Sequence, residues 1–129
     1  MNTLGLSLID HSSLKGREAR YTVVHVDTAL TLKSWKTSLF SFEWLNPDGS
    51  LRALDDLPVH ERDKRLKVEK ALSGGERLER PVLGIGILDN VEIGAGRDVF
   101  LTLAARGFKE IEVHIPVSCQ AEFKRFLKR

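Results

Sequence analysis

The stretch from residue 91 to residue 106 constrains the fold more than any other part of this sequence. Residues 91–93 place two β-branched side chains around a glutamate, which favours a short strand. Residues 98–106 repeat apolar positions at helical spacing, which predicts a helix. Gly94 and Gly96 stand between the two patterns, and Arg97 follows them directly. A strand that turns at once into a helix predicts a mixed α/β fold.

The segments before this turn supply further elements. A β-branched run predicts a strand over 21–26, and residues 29–42 mix strand and helix signals. A charged and leucine-containing run predicts a helix over 58–73 that ends at Gly74-Gly75, with Leu66, Val68 and Leu72 as its buried edge. The apolar run 81–88 is typical of a buried strand, which a turn would join to residues 91–93 as a hairpin.

After the turn, Gly107 is expected to end the helix. Residues 110–115 then alternate polar and apolar side chains, which predicts a half-exposed strand ended by Pro116. Ser118 is placed to cap a last helix that buries Phe123 and Phe126. Together, these predicted strands and helices indicate an α+β fold in which helices flank a small mixed sheet. We expect residues 1–19 to be a loosely attached arm and residues 20–129 to form one domain, a number that the chain length supports.

Composition excludes several classes of protein. The net charge is only +2, so contact with nucleic acid would depend on local clusters of cations. A single cysteine, Cys119, excludes an internal disulfide framework and a cysteine-rich zinc site. The sequence has neither a secretory leader nor an apolar run long enough for a membrane helix, so we expect a cytoplasmic protein without membrane insertion.

The turn formed by Gly94, Ala95, Gly96 and Arg97 is the part of the sequence that indicates chemistry. The first turn of a helix leaves amide groups without internal partners and carries the positive end of the helix dipole. Glycines let an anion approach those amides, and an arginine beside them offers a planar donor pair to phosphate oxygens. These four residues are therefore candidate phosphate ligands. The alternative is a tight structural turn whose arginine pairs with a nearby carboxylate.

Acidic residues flank the turn and supply candidate catalytic groups. Asp89 and Glu92 could hold Mg²⁺ against bound phosphates, because this ion uses one or two carboxylates together with phosphate oxygens. Glu92 and Asp98 are the candidate catalytic pair, either by organising the metal or by activating water. The alternative is that these residues belong only to the turns and to the exposed side of a strand.

Two further groups of residues have weaker patterns. Lys124, Arg125 and Lys128 form a basic C-terminal edge that could contact a nucleic-acid backbone, or could simply be the solvated end of a helix. The four histidines show no metal-ligand spacing, and His114 is expected on an exposed strand face. Trp35 and Trp44 are expected in the core, with base stacking as the alternative.

Residues 91–116 resemble the ParB/sulfiredoxin superfamily. The shared features are a strand, a Gly-x-x-Arg turn at Gly94 to Arg97, a helix containing Ala104-Ala105, and a Gly-Phe-Lys-Glu-Ile link into a strand that ends at Pro116. Upstream elements from residue 58 stand in the order expected for that superfamily. The resemblance implies a ParB/sulfiredoxin-like fold in which this turn binds phosphate. Ala95 and Gly96 stand where sulfiredoxins have a cysteine and a histidine, so reduction of sulfinic acids is not implied.

The single-domain plasmid fertility-inhibition proteins of the Osa type are the branch that this chain resembles in size. That resemblance implies nucleotide binding, hydrolysis of a nucleoside triphosphate with Mg²⁺, and DNA cleavage directed against a competing mobile element. The implied partners are a nucleotide, DNA, or a protein of a conjugation or secretion system. The alternative function is a non-catalytic module that uses the same fold to bind a protein or nucleic acid.

Overall fold

The computed structural model describes residues 6–128 and has the mixed α+β architecture that the sequence predicts. Within that range the strands and helices follow one another as β1 Leu8–Ile9, β2 Tyr21–Asp27, α1 Thr28–Trp35, α2 Val59–Ser73, β3 Leu78–Glu79, β4 Leu83–Ile85, β5 Val91–Ile93, α3 Arg97–Ala105 and β6 Glu110–Pro116. The described helices do not include one with the length and apolar character needed to cross a bilayer.

Within residues 6–128, three two-stranded ladders form the sheet region. β2 and β6 are antiparallel along their whole length, from Tyr21 opposite Pro116 to Asp27 opposite Glu110. β4 and β5 form the predicted antiparallel hairpin, and a parallel bridge between Val82 and His114 joins it to β6. β6 therefore lies between β2 and the hairpin, at the centre of the domain.

This central place corrects the prediction that β6 is half exposed. Ile111, Val113 and Ile115 are buried as predicted, but Glu110 and His114 on the other side of the strand are buried too. Arg80 and Asp10 cover His114, with Nη1 of Arg80 3.5 Å from Nδ1 of the imidazole. Burial and the nearby Arg80 charge lower the pKa of His114 below its usual value, so the ring is neutral at neutral pH.

α3 is the most buried of the helices. Val99, Phe100 and Leu103 face the core, in keeping with the helical spacing of apolar residues in 98–106. Leu101 and Thr102 are buried as well, because α2 and the sheet enclose the helix from different sides. Gly107 ends the helix in a left-handed conformation, with φ of 89°. Trp35 and Trp44 are both in the core, so neither is available to stack on a base.

The N-terminal segment is attached more firmly than the sequence predicts. β1 pairs in parallel with β3, with Leu8 opposite Leu78, and Leu14 is fully buried. Residues 6–19 therefore pack on the rest of the domain and are not a loose arm. Residues 1–5 and Arg129 lie outside the described part of the chain.

Two predictions about the middle of the chain also need correction. The run 81–88 is strand only from Leu83 to Ile85, because the chain turns after Gly86 and leaves Ile87 and Leu88 exposed. Leu66 lies on the solvent side of α2, whereas Val68 is buried as predicted.

The C-terminal helix is replaced by two short 3₁₀ segments. Ser118 lies inside the first of them and does not cap a helix. Phe123 and Phe126 are nevertheless buried as predicted.

Candidate functional site

The strand–glycine–helix turn is held by backbone hydrogen bonds to the neighbouring chain. The Gly94 amide donates to the Val82 carbonyl oxygen at 2.9 Å, and the Val82 amide donates to the Ala95 carbonyl oxygen at 2.9 Å. Gly96 precedes the helix in a left-handed conformation, with φ of 76°, and its carbonyl oxygen accepts the Phe100 amide of the first helical turn. We call residues 94–98 the α3 corner.

Both glycines have a packing role at the α3 corner. A Cβ added to Gly96 would lie 3.0 Å from the Cα of Pro81, and one added to Gly94 would lie 3.3 Å from the Val82 carbonyl oxygen. Real Cβ atoms seldom come that close to backbone, so the chain path itself requires small residues here. The glycines therefore fit the structural-turn alternative as well as the phosphate-binding one.

A cavity of about 310 Å³ opens at the α3 corner. Gly94, Gly96, Arg97 and Asp98 line it from the turn, and α2 contributes Glu61 and Lys64. Nε of Arg97 donates a long hydrogen bond, 3.5 Å, to the Ile93 carbonyl oxygen. The guanidinium thus lies beside the glycines, and no carboxylate among residues 6–128 forms an ion pair with it.

A second cavity of about 340 Å³ lies on the other side of Gly96 and Asp98, which line both cavities. Its remaining lining residues come from four segments and include two more cations: His11, Lys67, Val68, Arg77, Leu78, Glu79 and Val99. No sequence pattern predicts His11 at this position. Its Nδ1 accepts the Ser13 amide and its Nε2 lies 3.2 Å from Oε2 of Glu79, which fixes the ring beside the corner.

Two carboxylates share the first cavity with the cations. Glu61 is almost fully buried, and its oxygens accept the Trp44 indole N–H at 2.9 Å and lie 3.1 Å from Nζ of Lys64. Burial alone would raise the pKa of Glu61, but these hydrogen bonds outweigh it and hold the pKa below its usual value. Oδ1 of Asp98 accepts the Val99 amide at 2.9 Å, so one amide of the helix N-terminus already has a partner.

The structure separates Glu92 and Asp89 from the α3 corner. Oε1 of Glu92 accepts the Ser38 hydroxyl at 2.5 Å and Oε2 accepts the Asn90 side-chain amide at 3.0 Å. Asp89 is at the tip of the β4–β5 hairpin and forms an ion pair with Arg125 at 3.3 Å. Of the predicted site residues, Gly94, Gly96, Arg97 and Asp98 line the cavity, whereas Asp89, Glu92 and Ala95 do not. Residues 6–128 contain no cluster of three or more metal-ligating side chains.

The predicted basic edge is partly neutralised by the protein itself. Arg125 pairs with Asp89 and stacks 4.8 Å from the centre of the Phe126 ring, and Nζ of Lys128 is 3.2 Å from Oε2 of Glu110. Lys124 is exposed. Two of the three predicted nucleic-acid contacts are thus already engaged in ion pairs.

Comparison with protein-family models, with curated proteins and with solved structures finds no match for this chain.

Proposed function

We propose that this protein binds the phosphate groups of a nucleotide at the α3 corner. The observation that carries the proposal is the placement of four cations, Lys64, Lys67, Arg77 and Arg97, around two adjoining cavities that meet at the start of α3. Lys64 pairs with Glu61, but the other three have no ion-pair partner among residues 6–128. Unpaired cations beside the positive end of a helix favour an anion with several charges.

The cavity also fits a nucleotide that arrives with Mg²⁺. Glu61 and Asp98 line the same cavity as Arg97, and Mg²⁺ bound to phosphates commonly takes one or two protein carboxylates. The metal would supply charge neutralisation of the phosphates, while Arg97 and Lys64 would orient them. The lowered pKa of Glu61 makes its carboxylate a weaker proton acceptor, so Glu61 suits a metal ligand better than a general base.

Hydrolysis of the nucleotide and cleavage of DNA in plasmid competition are the further steps that the resemblance to the ParB/sulfiredoxin superfamily implies, and they belong to this proposal. A cytoplasmic location also belongs to it, and is supported by the single half-buried cysteine. DNA or a protein of a conjugation or secretion system would be the macromolecular partner. Asp98 is the predicted catalytic residue that lies in the cavity, so it is the first to test for activation of water.

Thermal unfolding with ATP, CTP or GTP and Mg²⁺ tests the proposal. A nucleotide at a hundred times its dissociation constant should stabilise the wild-type fold by about 2.7 kcal/mol. Arg97→Ala should remove most of that stabilisation, and Lys67→Ala combined with Arg77→Ala should reduce it. Lys109→Ala is the matched control, because this exposed cation follows the opposite end of α3.

The outcome against the proposal is equally definite. The α3 corner is a structural turn if none of the three nucleotides raises the unfolding temperature of the wild type. The same conclusion follows if a nucleotide raises the unfolding temperature of Arg97→Ala as much as that of the wild type. Phosphate release in the presence of Mg²⁺ that Asp98→Asn abolishes while the nucleotide still stabilises the fold would support hydrolysis at this site.

A non-catalytic binding module is the second candidate, and one observation favours it. Glu92 is occupied by Ser38 and Asn90 outside the cavity, which removes the predicted general base from the reacting phosphates. Nucleotide-dependent stabilisation without any phosphate release in a multiple-turnover assay would be the result that supports this function.

A further inference from the structure

A third cavity, remote in sequence from the α3 corner, has a different lining. It measures about 220 Å³ and lies between the end of α1 and the turn at residues 46–49. Phe42, Leu45 and Pro47 form apolar walls, and Lys36 and Arg52 add two positive charges. We call this cavity the Lys36 pocket. Its combination of apolar walls and cations points to a ligand that is both apolar and acidic.

Backbone contacts hold the Lys36 pocket in shape without a ligand. Leu45 and Leu51 form an antiparallel bridge, and the Arg52 amide donates to the Trp44 carbonyl oxygen at 2.8 Å. The Ser41 hydroxyl is within hydrogen-bond distance of the Lys36 and Ser38 carbonyl oxygens, 2.8 and 2.9 Å, which fixes the chain that follows α1. A preformed pocket loses less entropy on binding than one that must be ordered.

The cations of the Lys36 pocket lack acidic partners within the described chain. Arg52 donates from Nη1 to a backbone carbonyl oxygen, that of Asp56, at 3.0 Å. Asp48 is close to Lys36, but its Oδ1 accepts the Ser50 amide at 2.9 Å and the Ser50 hydroxyl at 2.6 Å. Those bonds from Ser50, with a smaller effect of Lys36, lower the pKa of Asp48. Neither cation forms an ion pair with a carboxylate of residues 6–128.

Phe42 of the pocket wall belongs to a short run of exposed, large apolar side chains. Leu39 is 77% exposed, Phe40 is 50% exposed and Phe42 is 60% exposed. The three lie within four consecutive residues, in the loop between the end of α1 and the buried Trp44. Clustered exposed aromatic and aliphatic side chains beside a pocket are typical of a protein-binding surface.

We propose that the Lys36 pocket, with Leu39, Phe40 and Phe42, binds an acidic segment of a partner protein that inserts one aromatic or aliphatic side chain. The inserted side chain contacts Phe42, Leu45 and Pro47, and flanking carboxylates pair with Lys36 and Arg52. The chemistry excludes close alternatives. A nucleic-acid backbone would leave the apolar walls unused, and a lipid surface would cover the exposed side chains but would not fill a cavity of about 220 Å³.

Selection from a random peptide library displayed on phage tests this proposal directly. Peptides enriched on the wild-type protein, and depleted on Lys36→Glu, should carry aspartate or glutamate on either side of an aromatic or large aliphatic residue. The best peptide, made synthetically with a fluorescent label, should bind with an affinity that Lys36→Glu weakens by about tenfold or more, since the new carboxylate repels the ligand. Phe42→Ser should weaken it independently of charge.

Lys33→Glu is the matched control, because Lys33 is exposed like Lys36 but lies on α1, three residues earlier, and does not line the pocket. The affinity of Lys33→Glu for the labelled peptide should stay within a few fold of the wild-type affinity. The proposal is overturned if no peptide is enriched, if the enriched peptides lack acidic residues, or if Lys36→Glu and Lys33→Glu bind equally well.

Two other occupants would also overturn it. Concentration-dependent dimerisation that Phe42→Ser abolishes would identify a second copy of this chain as the occupant. Binding to phosphatidylserine vesicles, together with no peptide selection, would identify a lipid surface. A nucleotide effect at the α3 corner bears on neither result, because the two cavities share no lining residue.

Discussion

The α3 corner and the Lys36 pocket both set cations around a cavity, but they differ in what surrounds those charges. At the corner, four cations share space with Glu61, Asp98 and the amides of a helix N-terminus. Apolar side chains, those of Val68, Leu78 and Val99, line only the second of its two cavities. In the Lys36 pocket two cations stand against an aromatic ring and a proline. The difference shows that positive charge alone does not define a ligand. The neighbouring groups decide whether it is a polyanion or an amphipathic acid.

One buried hydrogen bond connects the two regions. The Trp44 carbonyl oxygen accepts the Arg52 amide, which helps to hold the Lys36 pocket in shape. The indole N–H of Trp44 donates to Oε1 of Glu61, which lines the cavity at the α3 corner. Trp44 is fully buried and Glu61 nearly so, so this bond is shielded from water. The comparison therefore concerns two sites with different chemistry that share one structural support.

The largest effect is expected for Gly96→Ala, which breaks the α3 corner while leaving the Lys36 pocket unchanged. The left-handed conformation costs an alanine about 1–2 kcal/mol. The new Cβ, 3.0 Å from the Cα of Pro81, adds an overpacking cost of roughly 1–3 kcal/mol. Urea unfolding measures the loss of stability.

Gly75→Ala is the control for that substitution. Gly75 also has a positive φ, 67°, but no atom lies within 4 Å of an added Cβ, so only the conformational cost should appear. Equal losses for the two variants would show that the close approach to Pro81 is relieved by a small backbone shift and that the corner does not depend on it.

The second prediction concerns the shared support. Trp44→Phe removes the donor to Glu61 and leaves a buried, charged acceptor without that partner, which should cost about 1–3 kcal/mol of stability. A double-mutant cycle with Glu61→Met, which removes the acceptor at similar side-chain length, followed by urea unfolding, isolates the hydrogen bond from the loss of packing. A coupling energy near zero would show that the two regions are independent.

Local patterns and long-range contacts explain which parts of these regions the sequence could predict. Gly94, Gly96 and Arg97 were identifiable because strand, turn and helix follow one another directly in the chain. The direction of the Glu92 side chain could not be predicted, because the hydroxyl group that it accepts a hydrogen bond from belongs to Ser38, far away in the sequence. The sequence predicts that Glu61 and Lys64 belong to the solvated face of a charged helix. They reach the α3 corner only because α2 packs against α3.

No sequence pattern predicts the Lys36 pocket, because its lining residues come from separate segments that only the fold brings together. Leu39 and Phe42 are spaced as one face of a helix, which predicts burial, but α1 ends at Trp35 and the helical spacing no longer applies after it. The turn at residues 46–49 was predictable from Pro47 and Gly49, and its amide–carbonyl hydrogen bond from Gly49 to Asn46 is present. The distance from that turn to Lys36 depends on the tertiary fold.

The third prediction uses the pKa of Glu61 to test whether the ionised carboxylate that bonds to Trp44 stabilises the fold. Since the folded-state pKa lies below the unfolded value, ionised Glu61 contributes stability at neutral pH, and this contribution is lost as the pH falls through the folded-state pKa. Between about pH 6 and pH 3, the free energy of unfolding should therefore fall further in the wild type than in Glu61→Gln. Parallel pH profiles for the two proteins would contradict this assignment.

The smallest effect is a difference in salt dependence between the two sites. Binding of inorganic tripolyphosphate at the α3 corner rests on several charges, so raising the ionic strength from about 0.05 M to about 0.5 M should weaken it by well over tenfold. Binding of an acidic peptide in the Lys36 pocket rests partly on apolar contact. Its ion pair with the exposed Lys36 is worth roughly 0.2–1 kcal/mol and Arg52 adds one more, so binding should weaken only several-fold. Calorimetric titration at the two ionic strengths gives both values on the same protein sample. If both ligands weaken in equal measure, the apolar walls contribute nothing to peptide binding and the Lys36 pocket is a second site for simple anions, which would remove the distinction drawn between the two regions.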